Sequence, residues 1–151
     1  MKPVWSAWFC RHPEFKMYMK SIIFSYLLTF LVFLMVDMLW LGVIAKNIYQ
    51  KYLGSFLSDR VNWTAAFIFY IIYVVGISVF AVYPAVSKGS VYNAILMGAL
   101  FGFFTYATYD LTNLATLKDW PLPIVIIDII WGSVLGAIVS FSGFYIVKWI
   151  H

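Results

Sequence analysis

Apolar side chains fill four long runs of the chain, and short polar stretches separate them. The runs cover residues 21–45, 63–83, 91–111 and 122–149. Crossing a hydrocarbon core of about 30 Å takes roughly 20 helical residues, so each run is long enough to span a membrane. The runs are continuously apolar and lack the alternation of barrel strands, which favours helices. Because the connections are short, the sequence predicts an all-α integral membrane protein with four transmembrane helices in an antiparallel bundle.

Two segments outside the runs combine aromatic and basic residues. Residues 1–20 have the composition of the lipid headgroup region, and we predict that they form an N-terminal interfacial extension of a four-helix domain over residues 21–151. They are not expected to be a cleaved signal peptide, because the apolar run after them is too long. Over residues 48–57, apolar side chains recur at helical spacing against polar ones. This pattern predicts a short amphipathic helix in the interface between the first and second spans, either as a cover over the outer end of the bundle or as a simple anchor on the membrane surface.

The composition excludes several classes of protein and of site. The chain is 64% hydrophobic and 11% charged, whereas soluble domains carry about 25% charged residues. Cys10 is the only cysteine, which excludes an internal disulfide and a thiolate metal site. His12 and His151 lie outside the runs, so a haem held by histidines inside the bundle is also excluded. We predict no metal site, and the sequence identifies no cofactor.

The net charge of +4 relates to topology rather than to nucleic acid. The ten Lys and Arg residues are scattered at the ends of the runs and form no nucleic-acid-binding motif. Four spans place six of them on the side of both termini and four on the other side, so the positive-inside rule favours cytoplasmic N- and C-termini. The six are Lys2, Arg11, Lys16, Lys20, Lys88 and Lys148, and the four are Lys46, Lys51, Arg60 and Lys118.

Three of the six acidic residues, Asp37, Asp110 and Asp128, lie within or at the edge of the apolar runs. Alternating helix directions put all three in the same leaflet, roughly 0 to 12 Å below the outer interface by helical rise. An ionisable group in a span costs on the order of 3 kcal/mol and by default marks a functional site that faces the bundle interior. No Lys or Arg lies at this depth, so we expect the acids to hold a shared or extra proton. They are the candidate catalytic residues.

Aromatic and polar residues accompany these acids. The patterns V-D-M-L-W and I-D-I-I-W place Trp40 and Trp131 one turn after an aspartate, which is consistent with a remnant of an inverted repeat. Trp40 also fits an interfacial belt residue. Small residues every four positions along the third and fourth runs predict close packing of those helices. The predicted ligand-binding residues are Asp37, Trp40, Tyr70, Tyr73, Tyr106, Tyr109, Asp110, Thr112, Asn113, Asp128 and Trp131.

Several motifs together indicate a family. V-D-M-L-W-L-G, Y-L-G, Y-P-A and above all Y-D-L-T-N-L-A-T-L-K-D-W-P-L resemble a family of small bacterial inner-membrane proteins known only as a domain of unknown function. The resemblance runs from about Tyr26 to the C-terminus. It implies a protein of the bacterial cytoplasmic membrane with four spans, and it brings no established activity. The resemblance also implies a function connected with lipids, because genes of the family sometimes lie near those of lipid-methylating proteins.

Three hypotheses stay open at this point. The first is a pocket that binds or modifies a lipid, isoprenoid or pigment, in which the acids supply charge or general acid–base function and the tryptophans and tyrosines form the walls. The second is a proton-coupled transporter or channel, as a homo-oligomer because four helices enclose little space. The third is a structural or regulatory subunit whose acids and hydroxyls hold the helices together. The inner halves of the runs carry few polar residues, which makes transport less favoured than a pocket.

Overall fold

The computed structural model describes residues 13–54, 56–57 and 60–150, with side chains from Met19 onward. Four helices are long and apolar enough to cross a membrane, and we call them the first to fourth spans: Met19–Ile44, Trp63–Ser87, Val91–Thr116 and Leu122–Ile150. The prediction of an all-α membrane bundle is therefore confirmed. Most of the proposed N-terminal extension lies outside the described residues, as do Cys10, His12 and His151, and the first helix is continuous from Pro13 to Leu39.

The spans form an antiparallel ring in which each helix packs against its neighbours in sequence, and the fourth also packs against the first. The connections over residues 45–62 and 117–121 lie at one end, which we call the loop end. The predicted amphipathic helix is present in the first of these connections as Lys46–Leu53, here called the connecting helix. At the opposite end, Gly89 turns the chain with φ +63°, and Ser90 caps the third span by accepting a 3.3 Å hydrogen bond from Asn93 N.

Glycines make the contact between the third and fourth spans the closest in the bundle. A Cβ at Gly102 would overlap the carbonyl oxygen of Gly132, and Cβ atoms at Gly98 and Gly136 would each overlap the other's carbonyl oxygen. Backbones approach this closely only where no side chain stands between them. The predicted packing of these helices through small residues is therefore confirmed.

Two π-helical turns interrupt the first and second spans. Trp40–Ile44 ends the first span, where Ala45 N donates a 2.8 Å bond to Trp40 O. Ser78–Val82 ends two residues before Pro84 in the second span. Proline lacks an N–H and its ring crowds the carbonyl four residues earlier, so a widened turn just before it relieves the clash. π-Turns are often found at functional sites, and the first of these two lies beside the acidic residues.

The helix ends place the three buried acids at one level. The third span continues to Thr116, five residues beyond the predicted end at residue 111. Asp110 and Asp128 therefore lie six residues from the loop-end termini of their helices, and Asp37 lies seven residues from Ile44. At 1.5 Å per residue, each is about 9 to 10 Å inside the helical bundle. All three are buried, with exposed fractions of 4%, 0% and 7% for Asp37, Asp110 and Asp128.

The glycine contact can be tested by adding one methyl group. Gly102→Ala forces the backbone at Gly132 to move, so we expect the free energy of unfolding to fall by about 1–3 kcal/mol, as for other overpacked sites. Thermal unfolding in detergent would show this as a lower midpoint. Gly42→Ala is the control, because a Cβ there meets nothing within 4 Å. Equal midpoints for the two variants would contradict the close approach of the third and fourth spans.

Candidate ligand-binding site

Tyr49 of the connecting helix provides the central hydrogen bonds of the acidic region. Its hydroxyl donates a 2.6 Å bond to Asp128 Oδ1 on the fourth span. The hydroxyl oxygen of Tyr49 in turn accepts a 3.2 Å hydrogen bond from Trp40 Nε1 at the end of the first span. This three-residue chain links the connecting helix to two spans, and a bond to a carboxylate at this length is among the stronger kinds of hydrogen bond.

Trp40 and Trp131 form a parallel stack across the first and fourth spans, with ring centroids 4.2 Å apart and ring planes 5° apart. The aspartate of each Asp–Trp pattern is thereby paired with the tryptophan of the other pattern. Asp37 lies beside the Trp131 indole and the Tyr70 hydroxyl, whereas Asp128 is connected to Trp40 through Tyr49. Trp131 Nε1 is buried and does not complete a hydrogen bond within the described residues.

A cavity of about 360 Å³ lies on the loop-end side of the bundle and receives residues from all four spans and the connecting helix. Its volume is at the lower end of the range for small-molecule sites. Seven of the twelve lining residues are aromatic, and two are acidic. The lining residues are Asp37, Leu41, Tyr49, Ala66, Phe69, Tyr70, Tyr73, Thr105, Tyr106, Tyr109, Asp128 and Trp131.

From the exposure of its lining residues, we infer that the cavity opens sideways between the second and third spans. Near the middle of the bundle these helices are in contact, because the Phe101 ring fills the space above Gly76 and lies 5.3 Å from the Tyr73 ring. Toward the loop end their backbones stay apart. The lining residues Phe69 and Tyr109 flank this gap and are 47% and 61% exposed. An entrance at this depth faces the apolar part of a bilayer rather than water.

The floor of the cavity is closed by a hydrophobic cluster. Phe33, Ile77 and Leu135 are buried to 1% exposure or less and pack with Tyr73. Tyr73 itself is only 3% exposed and lines the cavity, and its hydroxyl lies beside that of Thr105 without completing a hydrogen bond among the described residues. A buried polar atom left without a partner costs about 1–3 kcal/mol. This hydroxyl is therefore available to a bound molecule.

Asp110 lies beside the cavity without lining it. It is fully buried on the third span, near Asp128 and the Trp120 indole. Neither of its carboxyl oxygens nor Trp120 Nε1 makes a hydrogen bond within the described part of the chain. The Trp120 indole is the side-chain donor nearest to its carboxyl.

The structure brings together seven of the eleven predicted ligand-binding residues in the cavity wall: Asp37, Tyr70, Tyr73, Tyr106, Tyr109, Asp128 and Trp131. Trp40 supports the wall from behind through its stack on Trp131. Asp110 and Asn113 lie on the third span outside the cavity lining. Thr112 is exposed on another face of that helix, in a shallow surface depression with Phe104 and Thr108.

Tyr49 is the main residue that sequence reasoning missed. Its segment was predicted to lie in the interface, and nothing in an amphipathic pattern says which residue reaches back into the bundle. Burial, reinforced by the hydrogen bond to Asp128, raises the pKa of Tyr49 above its ordinary value. The hydroxyl therefore stays protonated at neutral pH and acts as the donor to the carboxylate. Thr105, Phe69, Leu41 and Ala66 also line the cavity without having been predicted.

The role of Tyr49 can be tested by removing its hydroxyl. Tyr49→Phe leaves Asp128 without this donor and Trp40 without its acceptor, so we expect a loss of about 1–3 kcal/mol in the free energy of unfolding. Tyr52→Phe on the same connecting helix is the matched control. Unfolding in detergent, followed by tryptophan fluorescence, would also report any change in the Trp40–Trp131 stack. A Tyr49→Phe protein as stable as the Tyr52→Phe protein would refute the assignment.

The comparisons with known proteins bear on the family and not on the chemistry. Within the described residues, no group of three His, Cys, Asp or Glu is placed to hold a metal ion. No curated protein and no solved structure matches the chain at a significant level. A protein family described as "Predicted membrane protein (DUF2177)" matches residues 22–145, which covers all four spans except the first turn of the first span and the last turn of the fourth. The chain therefore belongs to the DUF2177 family of membrane proteins.

Proposed function

We propose that this protein binds an amphiphilic small molecule, of the lipid or isoprenoid kind, in the cavity between its four spans. The observation that carries the proposal is that one cavity is lined by two buried carboxylates and seven aromatic side chains and has exposed lining residues on the second and third spans. Small-molecule sites are mostly apolar and have a few polar groups that orient the ligand, which is the composition found here.

The size of the cavity supports a ligand that is only partly enclosed. Its volume of about 360 Å³ equals that of roughly twelve water molecules in liquid water. A polar head and the first carbons of a chain fit this space, whereas a complete two-chain lipid does not. The rest of the chain would leave between Phe69 and Tyr109 and lie among the lipids, where an apolar tail is at no disadvantage. The site thus matches a molecule that is polar at one end only.

We further propose that the protein lies in a bacterial cytoplasmic membrane with both termini in the cytoplasm. Six of the ten basic residues belong to the side of the termini, which the positive-inside rule assigns to the cytoplasm. In this orientation the loop end faces outward, and the cavity entrance is in the outer leaflet.

Transport through the bundle receives less support than binding. Between the cavity and the opposite end, the interior is filled mainly by buried apolar side chains, among them Val74, Ile77, Ala81, Leu135 and Val139. The buried polar side chains of this half are hydroxyls without an ionisable group: Ser25, Thr29, Ser78 and Ser140. A relay of protons requires a succession of polar groups across the membrane. The acids instead lie together at one level, as befits a site.

The binding proposal can be tested by filling the cavity without changing its charge. Native mass spectrometry of protein purified in mild detergent should show a co-purified molecule in the wild type. Ala66→Phe places a ring inside the cavity and should remove most of that bound mass. Ala65→Phe is the matched control, because the neighbouring Ala65 is exposed and does not line the cavity. A wild-type protein without bound mass, or equal occupancy in all three proteins, would contradict the proposal.

A further inference from the structure

The charge of the cavity wall narrows the kind of molecule that the site accepts. Asp37 and Asp128 line the cavity at 4% and 7% exposure, and no Lys, Arg or His is among the twelve lining residues. Opposite charges inside a low-dielectric space attract far more strongly than in water, and like charges repel as strongly. A phosphate or carboxylate head would face two acids with no compensating base.

We propose that the polar end of the bound amphiphile is a cation, an amine or a quaternary ammonium group. This inference rests on the proposed function, since it assigns the headgroup chemistry of the same site. The carboxyls of Asp37 and Asp128 supply the counter-charge, because a cation beside them favours their ionised forms, and the proton that they hold in the empty site leaves when the cation binds. Trp40 and Tyr49 hold Asp128 in place, and the Trp131 indole and the Tyr70 hydroxyl flank Asp37.

The aromatic walls suit a cation for an independent reason. The faces of Trp, Tyr and Phe rings attract cations within about 6 Å, and cages of such rings are the usual way to recognise quaternary ammonium groups. The Phe69 ring lies 5.5 Å from the Tyr70 ring and 5.8 Å from the Tyr73 ring, with tilts of 52° and 54°. These three rings are therefore inclined to one another at one corner of the cavity and do not form a flat wall.

The unpartnered hydroxyl of Tyr73 adds a directional contact to this corner. It is buried and belongs to a lining residue, the Thr105 hydroxyl lies beside it, and no described group donates a hydrogen bond to its oxygen. A hydroxyl oxygen can accept a hydrogen bond from a protonated amine. A trimethylated head has no such donor, so the site should tolerate both but orient the amine more strictly.

The test compares probes that share a tail and differ in the head. Purified protein in dodecyl maltoside is titrated with dodecyltrimethylammonium, dodecanol or dodecanoate, with tryptophan fluorescence as the signal because Trp131 lines the cavity. Tetramethylammonium, which has the head without the tail, is the fourth probe. We expect dodecyltrimethylammonium to bind about tenfold or more tightly than the neutral and anionic probes, and more tightly than tetramethylammonium.

Variants that remove the charge of the aspartates test whether these residues cause the preference for the cationic head. Asp37→Asn/Asp128→Asn should remove most of the preference for the cationic head. Asp119→Asn is the matched control, because Asp119 is an exposed loop residue with φ +58°, a conformation that Asn adopts readily. Thermal unfolding checks that the double variant is folded. If it is not, the headgroup series on the wild type still decides the question.

The outcomes separate this inference from the proposed function. If all three tailed probes bind with equal affinity and Ala66→Phe abolishes that binding, the preference for a cationic head is overturned. The proposal of a site for an amphiphile would then still stand. A preference that survives in the double Asn variant would also overturn it. Tetramethylammonium binding as tightly as the tailed cation would support the cation and overturn the amphiphile. No binding of any probe would overturn both.

Discussion

Two carboxylates buried in an apolar bundle constrain the whole loop end of this protein. A buried charge is costly unless hydrogen bonds and partners satisfy it. Asp37 and Asp128 have no basic residue beside them in the cavity wall, so their donors come from tyrosine and tryptophan side chains. The 2.6 Å bond from Tyr49 to Asp128 is the clearest case, and its donor comes from a helix outside the spans.

This demand for donors explains how the loop end is assembled. The Tyr49 hydroxyl ties the connecting helix to the fourth span, and the Trp40–Trp131 stack ties the first span to the fourth. Phe56 of the same connection packs edge-on against Trp120 in the loop between the third and fourth spans, with ring centroids 5.3 Å apart. The connections are thereby packed onto each other and onto the spans, and they cover the acids from that side.

The rest of the bundle divides into a tight half and an open half. Glycines bring the third and fourth spans together, and Phe101 closes the second span onto the third near Gly76. Beyond that point toward the loop end, the second and third spans stay apart, and the cavity occupies the gap. A closed, apolar floor with a side entrance is what a pocket for one end of an amphiphile requires. The buried, unpartnered hydroxyl of Tyr73 lies where such a molecule would be held.

Much of this arrangement could be predicted from the sequence because it depends on composition and helical period. Four apolar runs of more than 20 residues leave little alternative to four spans, and alternating directions place Asp37, Asp110 and Asp128 at one level. The outward position of Thr112 was also within reach. It follows Asp110 by two residues, and two residues at 3.6 per turn rotate a side chain by about 200°. Its inclusion among the predicted ligand-binding residues disregarded that rotation.

Only the tertiary structure decided which side chains meet. Tyr49 belongs to a segment whose amphipathic pattern shows that it has an apolar face and not what that face contacts. The position of Trp40 in the sequence is also that of an interfacial belt residue, whereas in the structure its ring stacks on Trp131. The two Asp–Trp patterns likewise gave no sign of joining crosswise, since that depends on the distance and rotation between the first and fourth spans. Hydropathy and period determine a helix's length and its polar face, whereas packing between helices sets the rotations that make a cavity.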